Sequence, residues 1–302
     1  MIKFLFFLAT GILLVFAFVV IYENLPGEAF QLNTNIEKTP SLNISAKTPM
    51  FLENMRFDHD NISYSIEGSC SEARADYMKE SFGILSSQVK EISFYKTSNN
   101  ADIEISCSER YPRVNNNFFI AGEGGPVEIQ KNGRFNIIKN GVIYLYREET
   151  CKNPSVEIHE LLHVFGFAHS NDNANVMYNV TSCHQEISSD MIKTLINLYS
   201  IPPLPDLRIE NLSVIKKGNF LDFNVTIIND GLKDSGNTSI VLLSNNKEIK
   251  TFNVGIIEMG YAKTLYDTNT KLPNNVNIID FYVDYENKVV ELDENNNHAT
   301  AS

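Results

Sequence analysis

Two folded units behind an N-terminal transmembrane helix are what this 302-residue sequence predicts. The first is an α+β domain with a mixed, twisted sheet over residues 51–201, and the second is an all-β sandwich over residues 202–302. Three observations predict this. Residues 4–22, FLFFLATGILLVFAFVVIY, form an unbroken apolar run long enough to cross a bilayer. Between 51 and 201, strand-like alternation interleaves with helix-like spacing. Past IPPLPDL, with its three prolines, helix periodicity stops and only short alternating segments follow.

The apolar run gives the first element, a signal anchor over residues 1–22. Lys3 precedes it and Glu23 follows it, an orientation that leaves the rest of the chain outside the cell. Gly27 and Ala29 have the spacing of a cleavage site, so secretion after signal removal is the alternative. Sequons begin at Asn43, Asn61, Asn179, Asn211, Asn224 and Asn237, in keeping with export. Cys70, Cys107, Cys151 and Cys183 are even in number and lack a CxxC pair, which favours two disulfides over a cysteine zinc site. A net charge of −12 without any basic block excludes nucleic acid as a partner.

Residues 23–50, with Pro26, Pro40 and Pro49, read as a polar tether. In the α+β domain, NISYSIEG alternates as a strand, and Ser69 to Glu72 has the S-x-x-E form of a capping box. The helix after it places Ala73, Tyr77, Leu85 and Val89 on one stripe. ADIEIS is a further strand, AGEGGP a glycine-rich turn, and FNIIKNGVIYLY a hairpin about Asn140-Gly141. Residues 126–139 offer an edge strand for an extended peptide. The second unit takes strands from DLRIENLSVI, FLDFNVTIIN, TSIVLLS, KTFNVGII and NIIDFYVDY.

The chemistry concentrates in HELLHVFGFAH, residues 159–169. Asn153-Pro154 serves as cap and first residue of a helix. His159 and His163, four apart, leave one face of that helix, a separation that suits two ligands of a tetrahedral zinc ion. Glu160 lies between them, able to act as a base on water. Gly166 ends the helix and lets the chain reverse, bringing His169 back as a third ligand. Three protein ligands leave a fourth position for water, as at a catalytic zinc. An amphipathic helix with incidental histidines is the competing reading, and the added Gly and third His at fixed spacing weigh against it.

HELLHVFGFAH resembles the HExxHxxGxxH motif of metzincin zinc endopeptidases. Met177, in SNDNANVMY, stands where their Met-turn methionine is expected, and Ser170 with Met177-Tyr178 most resembles the matrixin branch. EISSDMIKTLINLYS is similar to the C-terminal helix of matrixin catalytic domains, so the resemblance covers about residues 51–201. It implies zinc on His159, His163 and His169 and a general base in Glu160. Asn179 departs from the proline usual after the Met-Tyr pair, and its sequon would crowd the cleft wall if glycosylated. Tyr178 directly follows the methionine and is read as structural. The tether has no cysteine for a latency switch, and no histidine lies between residues 102 and 145 for a structural zinc.

Cys151 and Cys183 bracket the active-site helix and Met-turn, and pairing them is favoured, with Cys70–Cys107 as the second bond. Four cysteines still allow three pairings. His59, His184 and His298 read as surface histidines. The stretch from PDLRIENLSVI to ELDENNNHAT resembles the CARDB domain, an Ig-like module of exported proteins, which implies a cell-surface setting and room for a surface ligand. Glu291, Asp293 and Glu294 read as a solvated acidic turn, with Ca2+ coordination the alternative. The expectation is a single-pass, outward-facing zinc endopeptidase acting on peptide or protein. The rivals are a non-catalytic adhesion protein and a zinc hydrolase of a non-protein substrate.

Overall fold

The computed structural model describes residues 11–19, 28–42, 44, 47–110, 112, 119–147 and 150–302. Residues 11–19 are helical (α1), and no helix among the described residues is long and apolar enough to cross a membrane. The rest of the expected anchor, with Lys3 and Glu23, lies outside the described residues. The chain divides into two compact units: an α/β unit of Pro40–Pro203 with Gly231–Lys233, and a sandwich unit of Leu204–Asp230 and Asp234–Ser302 with the residues before Pro40.

The tether expectation for 23–50 is corrected by that division. Ala29–Gln31 (β1) and Thr34–Ile36 (β2) are strands of the sandwich, and Leu32 and Ile36 pack on its core. Three residues each are too few for an alternating pattern to register. From Pro40 onward the segment belongs to the α/β unit, where Ala168 N–H donates to Pro49 O at 2.8 Å and Phe51 N–H to Gly166 O at 2.8 Å.

In the α/β unit, Met55–Arg56 (β3) and Asn61–Ile66 (β4) precede the helix Glu72–Gln88 (α2), then come Ser93–Lys96 (β5) and Ile103–Cys107 (β6). Gly122–Asn132 (β7) and Phe135–Leu145 (β8) lead to the helices Ser155–Val164 (α3) and Ser189–Tyr199 (α4). The sheet runs β3-β8-β6-β4-β5 with all pairs parallel, while β7 pairs antiparallel with β8 at the edge. Ile62, Ile103, Ile105 and Ile143 from the strands meet Met78, Phe82 and Leu85 of α2 and Leu161 and Leu162 of α3 in one core.

Three local expectations shift. The α2 cap is Ser71, whose Oγ accepts from Arg74 N–H, while Ser69 Oγ is used by Glu67 and Cys107. The buried stripe is therefore Arg74, Met78, Ser81, Phe82 and Leu85, one position along from Ala73 and Tyr77. AGEGGP is not a turn but the start of β7, and the hairpin turns at Gly133 (φ 49°) rather than at Asn140-Gly141. Gly141 stays in β8, where a Cβ would sit 2.5 Å from Val164 Cγ1, so the glycine admits α3 against the strand.

The C-terminal end of α4 is held by buried Arg56, whose guanidinium donates to Leu198 O and, at 2.9 Å, to Ile201 O, and lies over the Tyr199 ring. A cation there satisfies carbonyls that a helix end leaves free. His59 is not simply a surface histidine. Hydrogen bonds to Asp102 and Asp58 raise its pKa to about 9, and the same Asp102 accepts from Ser63 N–H at 2.7 Å.

The sandwich unit packs a four-stranded sheet, β1-β9-β10-β13, against a five-stranded one, β12-β11-β14-β15-β2. Its strands are Leu207–Lys217 (β9), Phe220–Asn229 (β10), Thr238–Ser244 (β11), Lys247–Gly255 (β12), Ala262–Lys271 (β13), Ile279–Val283 (β14) and His298–Ala301 (β15). β10 alternates buried and half-buried residues throughout, and Phe223 meets Phe281 of the opposite sheet at 5.2 Å between ring centroids. β13 escaped the sequence reading because nearly all its residues are exposed or half-buried. Glu291 is not part of a solvated turn. It is buried, accepts from Leu207 N–H and from Asn297 Nδ2 at 3.0 Å, and burial pushes its pKa up to about 8. His298 stacks on Tyr282 and approaches Asp280, whereas His184 is exposed as expected.

Candidate metal centre

Helix α3 carries His159, Glu160 and His163, and all ten of its residues are buried. Its N-cap is Pro154, with no side-chain cap bond, so Asn153 does not cap it through its side chain. The reversal after α3 falls at Gly166, with φ 92°, and a Cβ there would stand 2.7 Å from Met55 Sδ. Both the backbone conformation and the lack of space demand glycine. The chain then runs back to His169.

The three imidazoles converge. His163 Nε2 lies 3.1 Å from His159 Nε2 and 3.3 Å from His169 Nε2, and the ligand atoms of all three fall within 4.8 Å of one another. Nitrogens bound at ~2.05 Å to one tetrahedral ion stand roughly 3.3 Å apart, so the triad fits zinc. Backbone carbonyls orient two of the rings: His159 Nδ1–H donates to Val176 O at 2.6 Å and His163 Nδ1–H to Phe167 O at 2.7 Å. Their Nε2 atoms are thereby left as acceptors for a metal. Burial lowers the pKa of each ring, to about 4 for His159, so neutral pH finds three unprotonated donors. Among the described residues this is the one group of three or more His, Cys, Asp or Glu gathered in that way.

Met177 is fully buried, and the chain turns tightly between Ser170 and Tyr178, with Ser170 N–H donating to Met177 O at 2.8 Å. Asn175 holds that turn. Its Oδ1 accepts from Met177 N–H at 2.9 Å, and its Nδ2 reaches Thr48 Oγ1 and Ser188 Oγ, both at 3.1 Å. Sequence reasoning missed Asn175 because it is one of three asparagines in SNDNANVMY. Cys151–Cys183 is present, tying the segment before α3 to the segment after the Met177 turn, and Cys70–Cys107 is the second disulfide.

Glu160 is the carboxyl neighbour of the triad, and it is buried. Burial, then the charge of Glu123, pushes its pKa up to about 8, while the Gly124 N–H donates to it and pulls the other way. That close approach needs glycines on β7: a Cβ at Gly122 would come 2.8 Å from Glu160 Cγ, and one at Gly124 only 2.3 Å from Glu160 O. The edge of β7, which has no second strand partner among the described residues, Glu160, the three histidines and the wall Asn179-Val180-Thr181 line a cavity of about 730 Å³. The part of β7 at the site is residues 122–124, N-terminal to the 126–139 expected. Asn179 is exposed and lines the cavity, and Tyr178 does not.

Comparison with known proteins divides the chain at the same place. Residues 56–200 match the family model described as Matrixin, and residues 204–301 match the one described as CARDB. No curated protein matches the chain. Among solved structures, a domain from Methanosarcina acetivorans is 29% identical, covering 32% of this chain and 89% of that one, at a TM-score of 0.27. The CARDB domain of a Pyrococcus furiosus protein, solved in complex with di-metal ions, is 27% identical, covering 32% and 85%, at a TM-score of 0.26.

Proposed function

We propose that this chain, a matrixin domain over residues 56–200 joined to a CARDB domain over residues 204–301, is a zinc-dependent endopeptidase. The carrying observation is the convergence of three imidazoles and one buried carboxyl on a single cavity beside a strand edge unpaired among the described residues. His159, His163 and His169 would hold a zinc ion. Zinc, when bound, polarises a scissile carbonyl and acidifies water. Glu160 takes the proton from the attacking water and passes it to the leaving amine nitrogen. The edge groups of β7 other than Gly124 N–H, which Glu160 takes, hold the substrate as an added strand, and the wall at Asn179 to Thr181 bounds the segment beyond the cleaved bond.

The protein works outside the cell, held by its N-terminal apolar segment. Two disulfides support an oxidising setting. The CARDB domain serves a cell-surface role and offers a surface for a ligand there.

The test is the full chain, purified in detergent, assayed for bound zinc and for cleavage of a random peptide library, beside Glu160→Ala. The expected outcome is one zinc in both and a ~10²–10⁴-fold loss of turnover in the variant. Undiminished cleavage by Glu160→Ala would refute the mechanism. Zinc without cleavage in the wild type would favour an adhesion protein or a hydrolase of another substrate.

A further inference from the structure

We propose that Glu123 selects substrates, recognising a lysine or arginine side chain in the extended segment that pairs with β7. The inference rests on the peptide-cleaving reading of this cleft and adds the charge of the segment it takes. Glu123 alternates with Gly122 and Gly124, whose open faces meet Glu160, so its own side chain leaves the other face of β7 and is exposed at the cavity. Tyr146 Oη donates to Glu123 Oε2 at 2.5 Å, which fixes the carboxylate; among the described residues Oε1 has no hydrogen-bond partner. Among the described residues no lysine or arginine pairs with it.

The surroundings make that charge count. Phe119, Ile120, Ala121, Val180 and Thr181 line the cavity without charge, and Glu160 is committed to proton transfer. Among the described residues lining the cavity, Glu123 is therefore the one accessible negative group held in place for a peptide on the strand edge. Side chains directly across a strand pair sit about 4.5–5.5 Å apart at Cβ, within reach of a lysine or arginine head group, and like charges there repel. A carboxylate already held by Tyr146 loses little freedom when it binds a cation.

The test uses the full chain and a positional-scanning peptide set carrying Lys, Arg, Gln or Glu at each position in turn. Cleavage is read as kcat/KM in the active protein, and binding as Kd in the zinc-loaded Glu160→Ala background. The expected result is one position where Lys and Arg are preferred over Gln by about two- to fivefold, the range an exposed ion pair supports. Glu123→Gln should remove that preference, Glu123→Lys should turn it toward Glu, and Tyr146→Phe should weaken it. Added salt should flatten it. A preference that survives Glu123→Gln and Glu123→Lys, in proteins with unchanged circular dichroism, overturns the proposal. So does the absence of binding by every peptide. Absence of cleavage with the binding preference intact removes the protease reading and leaves Glu123 as a recognition residue.

Discussion

In the proposed mechanism Glu160 acts on a water as a base, so it has to carry charge although it is buried. One backbone donor, Gly124 N–H, favours the charged form, and burial and the charge of Glu123 outweigh it in the metal-free protein. The imbalance has a measurable sign. A carboxyl whose folded pKa is raised from 4.5 to about 8 contributes stability that is complete below 4.5 and is lost as pH rises toward 8. In metal-free protein, Glu160→Gln should therefore stabilise the α/β unit increasingly from pH 4.5 to 8, by an amount on the order of 1–4 kcal/mol at the upper end. Urea midpoints of wild type and variant across that range check it, and parallel curves would show that Glu160 is not strained. The clustering of His159, His163 and His169 with Glu160 was legible in sequence because they lie within eleven residues on a helix and its return. Gly124, Glu123 and Asn175 were not, because each acts from another part of the chain, through contacts only the fold creates.

At the scale of elements, the site depends on how closely β7 approaches α3. Glycine in AGEGGP has two meanings that composition cannot separate, a turn or a strand stripped of side chains to let another backbone in. Here it is the second, and the same holds for Gly141 against Val164. Gly124→Ala should cost about 1–3 kcal/mol by overpacking, since its Cβ would meet the backbone carbonyl of Glu160. Peptide turnover should fall more than zinc content, because the helix shifts against the strand while the triad stays on its own segment. Equal loss of both, measured by metal analysis and library cleavage, would contradict that account. The helix and strand types themselves were readable, since α2, α3, β4 and β6 follow local spacing. The cap at Ser71 and the turn at Gly133 were not, because two serines and two Asn-Gly pairs competed for each role and tertiary packing chose between them.

One division between the two compact units falls between Pro203 and Leu204, a second at Pro40, and both disulfides lie inside the α/β unit. Replacing Cys151 and Cys183 together by serine should lower that unit's stability by about 2–4 kcal/mol through the wider freedom of its unfolded chain. Denaturant titration with and without dithiothreitol checks this: reductant should move the wild type more than the variant. What the sequence could not disclose at this scale is that β1 and β2 belong with strands made near the other end. Ala29 pairs with Lys217, and Thr34 with Ala301. A ribosome delivers the first two strands long before their neighbours exist, so the α/β unit folds as an insert while those segments wait, and the sandwich closes only when the last residues emerge. The same topology makes a nick between residues 37 and 47 incomplete as a release step, since the leading segment remains bound by two strand pairings after the backbone is cut.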